Sequence, residues 1–139
     1  MRWVSISVAI VGLAVAPVTF NSCVSTAPSS MSVAATDQII LRAEQTAQTA
    51  RLTFTTFVHL ERDNEAILKQ VSPSIHTYAN TIRTHGLDWI TSLRDATKAF
   101  KANRTPENQA NLSTWISTLT NAVAQTNKYI AEARKVSQP

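Results

Sequence analysis

The sequence predicts an all-α fold, an up-down-up bundle of three helices at about residues 37–71, 73–103 and 106–136. In all three segments, apolar residues recur at alternating spacings of three and four, which is typical of helices packed along an apolar stripe. Two prolines directly follow a hydroxyl residue, at Ser72-Pro73 and Thr105-Pro106, and this pair of residues favours a helix start. Because the links are short, we expect consecutive helices to be antiparallel.

The first helix, about residues 37–71, has an apolar stripe that changes phase after Phe57. Asn64 lies on the stripe just beyond this change. The alternation of apolar and polar residues from Leu52 to Leu60 also fits a strand, but the chain offers no second strand to pair with it. A helix therefore remains the better prediction.

The second and third helices carry the stripe without a break. In the second helix it passes through Gly86, which favours one continuous helix over a break after His85. Folding the helices about their links pairs Trp89 with Phe57. We expect a core in which five residues are buried and touch one another: Phe57, Trp89, Leu93, Trp115 and Leu119.

One polar residue interrupts the stripe on each of the outer helices, Asn64 on the first and Thr126 on the third. Antiparallel folding places both beside Ile82. A buried amide needs a partner, so we expect the two side chains to hydrogen-bond directly or through water. We interpret them as a buried polar layer that fixes the register rather than as a ligand contact.

The N-terminus has the layout of a signal peptide, assigned to residues 1–22. Arg2 precedes an apolar run, Val4–Val18, which is shorter than the length typical of a transmembrane helix. The following residues, 23–35, are uncharged and rich in small polar side chains, as in a flexible tether. The helical domain is assigned to 36–139.

The signal run ends at Phe20-Asn21-Ser22-Cys23, and Cys23 is the only cysteine in the chain. These four residues resemble the lipobox of bacterial lipoproteins, although Leu is usual in place of Phe20 and Gly or Ala in place of Ser22. The resemblance implies lipidation of Cys23 and a cell-envelope location on the periplasmic or surface side. Val24, where an Asp would favour inner-membrane retention, implies the outer membrane if the source has one.

The chain has 13 Lys and Arg against 9 Asp and Glu, a formal net charge of +4. This charge is too small and too dispersed to indicate nucleic-acid binding. Three cations at the end of the second helix, with one near the start of the first, would lie at the tether end of the bundle. They form a possible membrane-facing basic patch: Arg42, Lys98, Lys101 and Arg104.

No motif of a known catalytic, phosphate-binding or metal-binding class occurs in the sequence. The pairs His59–Asp63 and His85–Asp88 have helical spacing that serves surface ion pairs more often than metal ligands. Glu61, Asp63 and Glu65 have the pattern of a solvated acidic stretch. We therefore expect no enzyme activity, cofactor or metal.

Together these observations predict a lipid-anchored cell-envelope protein, held by acyl chains on Cys23. Its helical domain would be a non-enzymatic interaction or structural module with an unknown protein partner. The alternative is a secreted soluble module without lipid that binds a protein partner or an apolar ligand.

Overall fold

The computed structural model describes residues 33–137, and their side chains from residue 35 onward. It contains four helices: α1 Val33–Asp63, α2 Glu65–Val71, α3 Pro73–Ala102 and α4 Pro106–Ser137. The all-α class is therefore confirmed. None of these helices carries an apolar stretch that could cross a lipid bilayer. The predicted signal peptide, Cys23 and the tether up to residue 32 lie outside the described residues.

The predicted first helix differs from the structure in where it begins and in whether it is continuous. It begins at Val33 rather than near residue 37, so the last three residues assigned to the tether are helical. It is also divided at Asn64, which is a turn between α1 and α2. The prediction of a single helix over 37–71 was therefore wrong.

The division at Asn64 has a local cause. The backbone N–H of Asn64 donates to the carbonyl of Glu61 at 3.2 Å, three residues back instead of four. The side-chain Nδ2 of Asn64 donates to the carbonyl of Leu60 at 2.8 Å and so replaces the missing helical bond. Asn is one of the residues whose side chain competes with the backbone in this way.

The two helix starts predicted from hydroxyl-proline pairs use different chemistry. Both α3 and α4 begin at the proline, as expected. The Thr105 hydroxyl accepts from the backbone N–H of Asn108 at 3.3 Å, which is a side-chain cap. Ser72 makes no such cap; its hydroxyl donates instead to Oε1 of Glu132 on α4, at 3.3 Å. The Ser72 side chain therefore links the start of α3 to α4 by a hydrogen bond.

Residues near the start of α1 contact residues near the end of α3, and residues further along α1 contact residues earlier in α3. Near the start of α1, Oε1 of Glu44 accepts from Nζ of Lys101 near the end of α3, at 2.6 Å. Further along α1, the ring of Phe54 packs edge-on against Trp89 at 6.3 Å, earlier in α3. Helix α4 packs against both α1 and α3.

The core lies between the three long helices and α2. It contains a cluster of buried apolar residues that includes three alanines of α1, Ala43, Ala47 and Ala50. Helix α3 is continuous through Gly86, as predicted. A Cβ at that position would lie 3.2 Å from Cδ2 of Phe54, so the glycine allows a close approach of this ring. The largest fully buried apolar side chains are Phe57, Leu68, Ile75, Leu93, Phe100, Leu112 and Leu119.

Two of the five residues predicted to be buried in the core are less buried than expected. Phe57, Leu93 and Leu119 are fully buried, but Trp89 and Trp115 are only partly buried. The neighbouring isoleucines, Ile90 and Ile116, take the central positions instead. A branched aliphatic side chain fits the narrow space between helices, whereas an indole fits at its edge.

The predicted contact between Trp89 and Phe57 was also wrong. Trp89 packs on Phe54, which lies one helical turn before Phe57 in α1, and stacks on His85 at 6.1 Å. Phe57 instead contacts two tyrosines, Tyr78 on α3 at 5.8 Å and Tyr129 on α4 at 6.3 Å. This aromatic cluster joins all three long helices.

Candidate functional site

A buried carboxylate lies at the C-terminal end of α1. Glu61 has 0% exposed surface, and its two oxygens face α3. Oε1 lies 2.5 Å from Nδ1 of His76, and Oε2 accepts from Nη2 of Arg83. A carboxylate that loses its water must be paired and hydrogen-bonded, and these two partners meet that requirement.

Asn80 closes these contacts into a ring of four side chains. Its Oδ1 accepts from Nη1 of Arg83 at 2.7 Å, and its Nδ2 lies 3.4 Å from Nε2 of His76. A neutral His76 with its proton on Nδ1 satisfies both neighbours, because Nδ1 then donates to Glu61 and Nε2 accepts from Asn80. We call these four residues the Glu61 network: Glu61, His76, Asn80 and Arg83.

The Glu61 network overturns one prediction from the sequence. Glu61 was expected in a solvated acidic stretch, but it is among the most buried residues of the chain. Its position in the apolar stripe of α1 was a usable signal: Phe54, Phe57 and Glu61 follow one another at spacings of three and four. Reading the stripe by hydrophobicity alone skipped a carboxylate and produced an apparent phase change instead.

Glu61, Glu65 and His76 could together offer three metal-ligand atoms, which lie within 4.8 Å of one another. Both carboxylates are already held by cations, however. Arg83 binds Glu61, and Nζ of Lys69 lies 2.7 Å from Oε1 of Glu65. The hydrogen bond and charge of Lys69 lower the pKa of Glu65 from its usual 4.5. The formal charges cancel without an ion, so a dication would have to displace a cation.

A carboxylate beside a histidine is also the arrangement that orients a catalytic base. Such a base needs a nucleophile or substrate at its second nitrogen. In the described part of the chain, Nε2 of His76 contacts only the Asn80 amide, and no hydroxyl or thiol reaches the ring. The arrangement instead connects α1 to α3 beside the turn at Asn64.

The direct hydrogen bond predicted between Asn64 and Thr126 is absent from the described residues. Thr126 is fully buried and Asn64 is partly buried. Neither bonds directly to the other: Asn64 donates to Leu60, while the Thr126 hydroxyl donates to the carbonyl of Ala122 at 2.7 Å. The hydroxyl of Tyr78 takes the expected place of Asn64, at 3.4 Å from Oγ1 of Thr126.

The four residues of the predicted basic patch lie near one end of the domain, but they do not form one free cationic face. Three of them are paired with acids, in the contacts Lys101–Glu44 at 2.6 Å, Lys98–Asp95 at 3.2 Å and Arg104–Asp37 at 3.6 Å. Lys98 and Lys101 line a groove between α1 and α3, whereas Arg42 lines grooves between α1 and α4. Pairing with acids reduces the field that this end presents to a charged surface.

The two histidine–aspartate pairs considered as ligands have other contacts. Nδ1 of His59 accepts from Nη2 of Arg62 at 3.1 Å, and His85 stacks on Trp89. Among the described residues, neither pair is joined to a third ligand in a metal-binding cluster.

A groove of about 380 Å³ runs along α1 and α3 next to the Glu61 network. Its floor is apolar, and its lining includes Arg83 from the network. The residues that line it are Arg51, Phe54, Thr55, Val58, His59, Ile82, Arg83, Gly86, Leu87 and Ile90.

The sequence matches no protein-family model, and no curated protein or solved structure is significantly similar to it.

Proposed function

We propose that this protein is a lipid-anchored cell-envelope protein whose helical domain works as a non-enzymatic interaction or structural module. The observation that carries the proposal is Cys23. It is the only cysteine of the chain, and it ends a lipobox-like run directly after an apolar signal segment. Two or three acyl chains on this residue would hold the protein stably at a membrane, whereas one chain binds only marginally.

The contacts within the helical domain support the proposal that it is a non-enzymatic module. The Glu61 network is the one buried ionic cluster in the described residues, and its polar atoms are satisfied by one another. No buried side-chain polar atom in that part of the chain lacks a partner. A satisfied network of this kind holds helices in register and leaves no reactive group exposed to a substrate.

We further propose that the domain is an up-down-up three-helix bundle in which α2 continues the arm begun by α1. The antiparallel ion pair of Glu44 with Lys101 supports this arrangement. A zero-length carbodiimide should join these two side chains, and the linked peptide would be found by mass spectrometry. Lys128, exposed and without an ion pair in the described residues, is the control and should give no link to Glu44. Absence of the link at 44–101 would contradict the pairing.

The anchor is tested at Cys23. The mature N-terminal peptide should begin at Cys23 and carry the mass of its acyl chains. Cys23→Ser should abolish labelling by palmitate and release the protein from membranes, whereas Ser25→Ala, two residues further on, should leave both unchanged. Continued labelling of Cys23→Ser would refute lipidation.

Because Phe20 and Ser22 differ from the usual lipobox residues, a second candidate function is a secreted module without lipid. This candidate predicts a mature N-terminus elsewhere and an unmodified thiol. The same peptide mass separates the two.

A further inference from the structure

The groove next to the Glu61 network differs in its chemistry from the groove that contains Lys98 and Lys101. Its floor is formed by apolar residues from both helices, Phe54 from α1 and Ile82, Gly86 and Ile90 from α3. Its volume of about 380 Å³ falls at the lower end of the range for small-ligand sites, about 300–1,000 Å³. The groove that contains Lys98 and Lys101, by contrast, is about 280 Å³ and includes the carboxylate of Glu44.

The lip of this groove leaves apolar surface in water. Leu87 on α3 is 72% exposed, although it belongs to the lining. Gly86 beside it has no side chain, so the ring of Phe54 can approach this part of the floor closely. The floor residues keep little surface in water, with Phe54 and Ile90 each 5% exposed, so an apolar chain would gain mainly by covering Leu87. Removing this surface from water is favourable in proportion to the area covered.

The α1 side of the groove carries polar groups at successive helical turns, Arg51, Thr55 and His59. No ion pair of Arg51 with another described residue is present. His59 uses Nδ1 to accept from Arg62, so the ring proton is on its other nitrogen, which is a donor. No Asp or Glu lines this groove in the described part of the chain. The edge therefore offers donors and positive charge without a competing carboxylate.

We infer that this groove binds the anion of a single-chain fatty acid, with the alkyl chain along the apolar floor and the carboxylate at Arg51. An anionic head on an apolar tail matches both halves of the lining. The Arg83 guanidinium is engaged by Glu61 and Asn80, so Arg51 is the cation that recognises the head group. The inference goes beyond the proposed anchor and does not depend on it, because every residue in it belongs to the helical domain.

The test is a titration of the ¹⁵N-labelled protein with dodecanoate below its micellar concentration, followed by NMR. The chain has two glycines, Gly12 and Gly86, so the amide of Gly86 is a well-separated reporter at the groove floor. Its resonance should shift and saturate, together with those of Leu87 and Thr55. Octanoate, four methylenes shorter, should bind about tenfold more weakly, which corresponds to burial of a little under half of the lost apolar surface.

Arg51→Gln should weaken dodecanoate binding about three- to fivefold, as expected for loss of a solvent-exposed charge contact. The matched control is Arg94→Gln, also an exposed arginine without an ion pair in the described residues but lining the neighbouring groove. It should leave the affinity unchanged. Leu87→Asn should weaken binding by shortening the apolar lip.

Three results would overturn the inference. The first is the absence of saturable shifts at Gly86. The second is equal binding of dodecyltrimethylammonium, which has the same tail and the opposite charge. The third is equal loss of affinity in Arg51→Gln and Arg94→Gln, which would show a general charge effect rather than a site.

Discussion

The Glu61 carboxylate on α1 and the His76 imidazole on α3 are joined at 2.5 Å, and Glu61 has no surface exposed to water. The contact lies beside Asn64, where α1 ends and α2 begins. Helix α1 would otherwise present a charge to the apolar core at this point. The ring formed with Asn80 and Arg83 makes that charge tolerable, because each member satisfies two neighbours.

Removing Arg83 should show how strongly Glu61 depends on its partner. Arg83→Ala should lower the free energy of unfolding by about 2–3 kcal/mol, less than for a fully buried pair because Arg83 is partly exposed. In a Glu61→Gln background the same change should cost under about 1 kcal/mol, since no buried charge remains. Urea denaturation measures both.

The control for that cycle is Arg94→Ala, on the same helix and without an ion pair in the described residues. It should cost within about 0.5 kcal/mol in either background. Equal losses for Arg83→Ala with and without the carboxylate at position 61 would contradict the Glu61 network as an energetic unit.

The two aromatic positions of the predicted core should differ in stability cost. Phe57→Ala should cost about 3–5 kcal/mol, because the ring is fully buried against Tyr78 and Tyr129. Trp89→Ala should cost less, about 1–3 kcal/mol, because the indole is only partly buried. Leu52→Ala, at a residue 71% exposed, is the control with little expected loss. A larger loss for Trp89 than for Phe57 would contradict this assignment of the core.

Asn64→Ala should join α1 and α2 into a more continuous helix. Without the side-chain amide, the carbonyl of Leu60 is free to accept the backbone N–H of residue 64. We expect slower amide exchange at residue 64 and a stability change under about 1 kcal/mol. Asn127→Ala, at an exposed position of α4, measures the gain from alanine's helix propensity alone. An unchanged exchange rate at residue 64 would show that the turn has another cause.

Lys69→Gln should raise the pKa of Glu65 toward 4.5, since Lys69 is the largest cause of its lowered value. A carboxyl whose pKa is lower in the folded state contributes stability above its unfolded pKa and loses it as pH falls through the folded pKa. The variant should therefore lose less stability below about pH 4.5 than the wild type. Carboxyl NMR titration of Glu65 measures the shift directly.

The control for this titration is Lys98→Gln, which removes a different surface pair, Lys98 with Asp95. It should leave the titration of Glu65 unchanged. If Glu65 titrates identically in Lys69→Gln and the wild type, the ion pair does not form in solution.

The sequence by itself determined the helical class and the starts of the last two helices. These features depend on residues close together in the chain: the three-four spacing of apolar positions, the prolines at 73 and 106, and the cap at Thr105. It also predicted that α3 continues through Gly86, because the apolar stripe does not break there.

Only the tertiary structure decided which partners the polar residues Glu61 and Thr126 of the stripe have. Asn64 was expected to bond to Thr126 directly or through water. Its amide donates to the carbonyl of Leu60, while the Tyr78 hydroxyl from α3 lies within hydrogen-bond distance of Thr126. Glu61 was expected in solvent. Whether a polar side chain on a stripe is exposed or buried depends on partners far away in sequence, and those become neighbours only once the helices have packed.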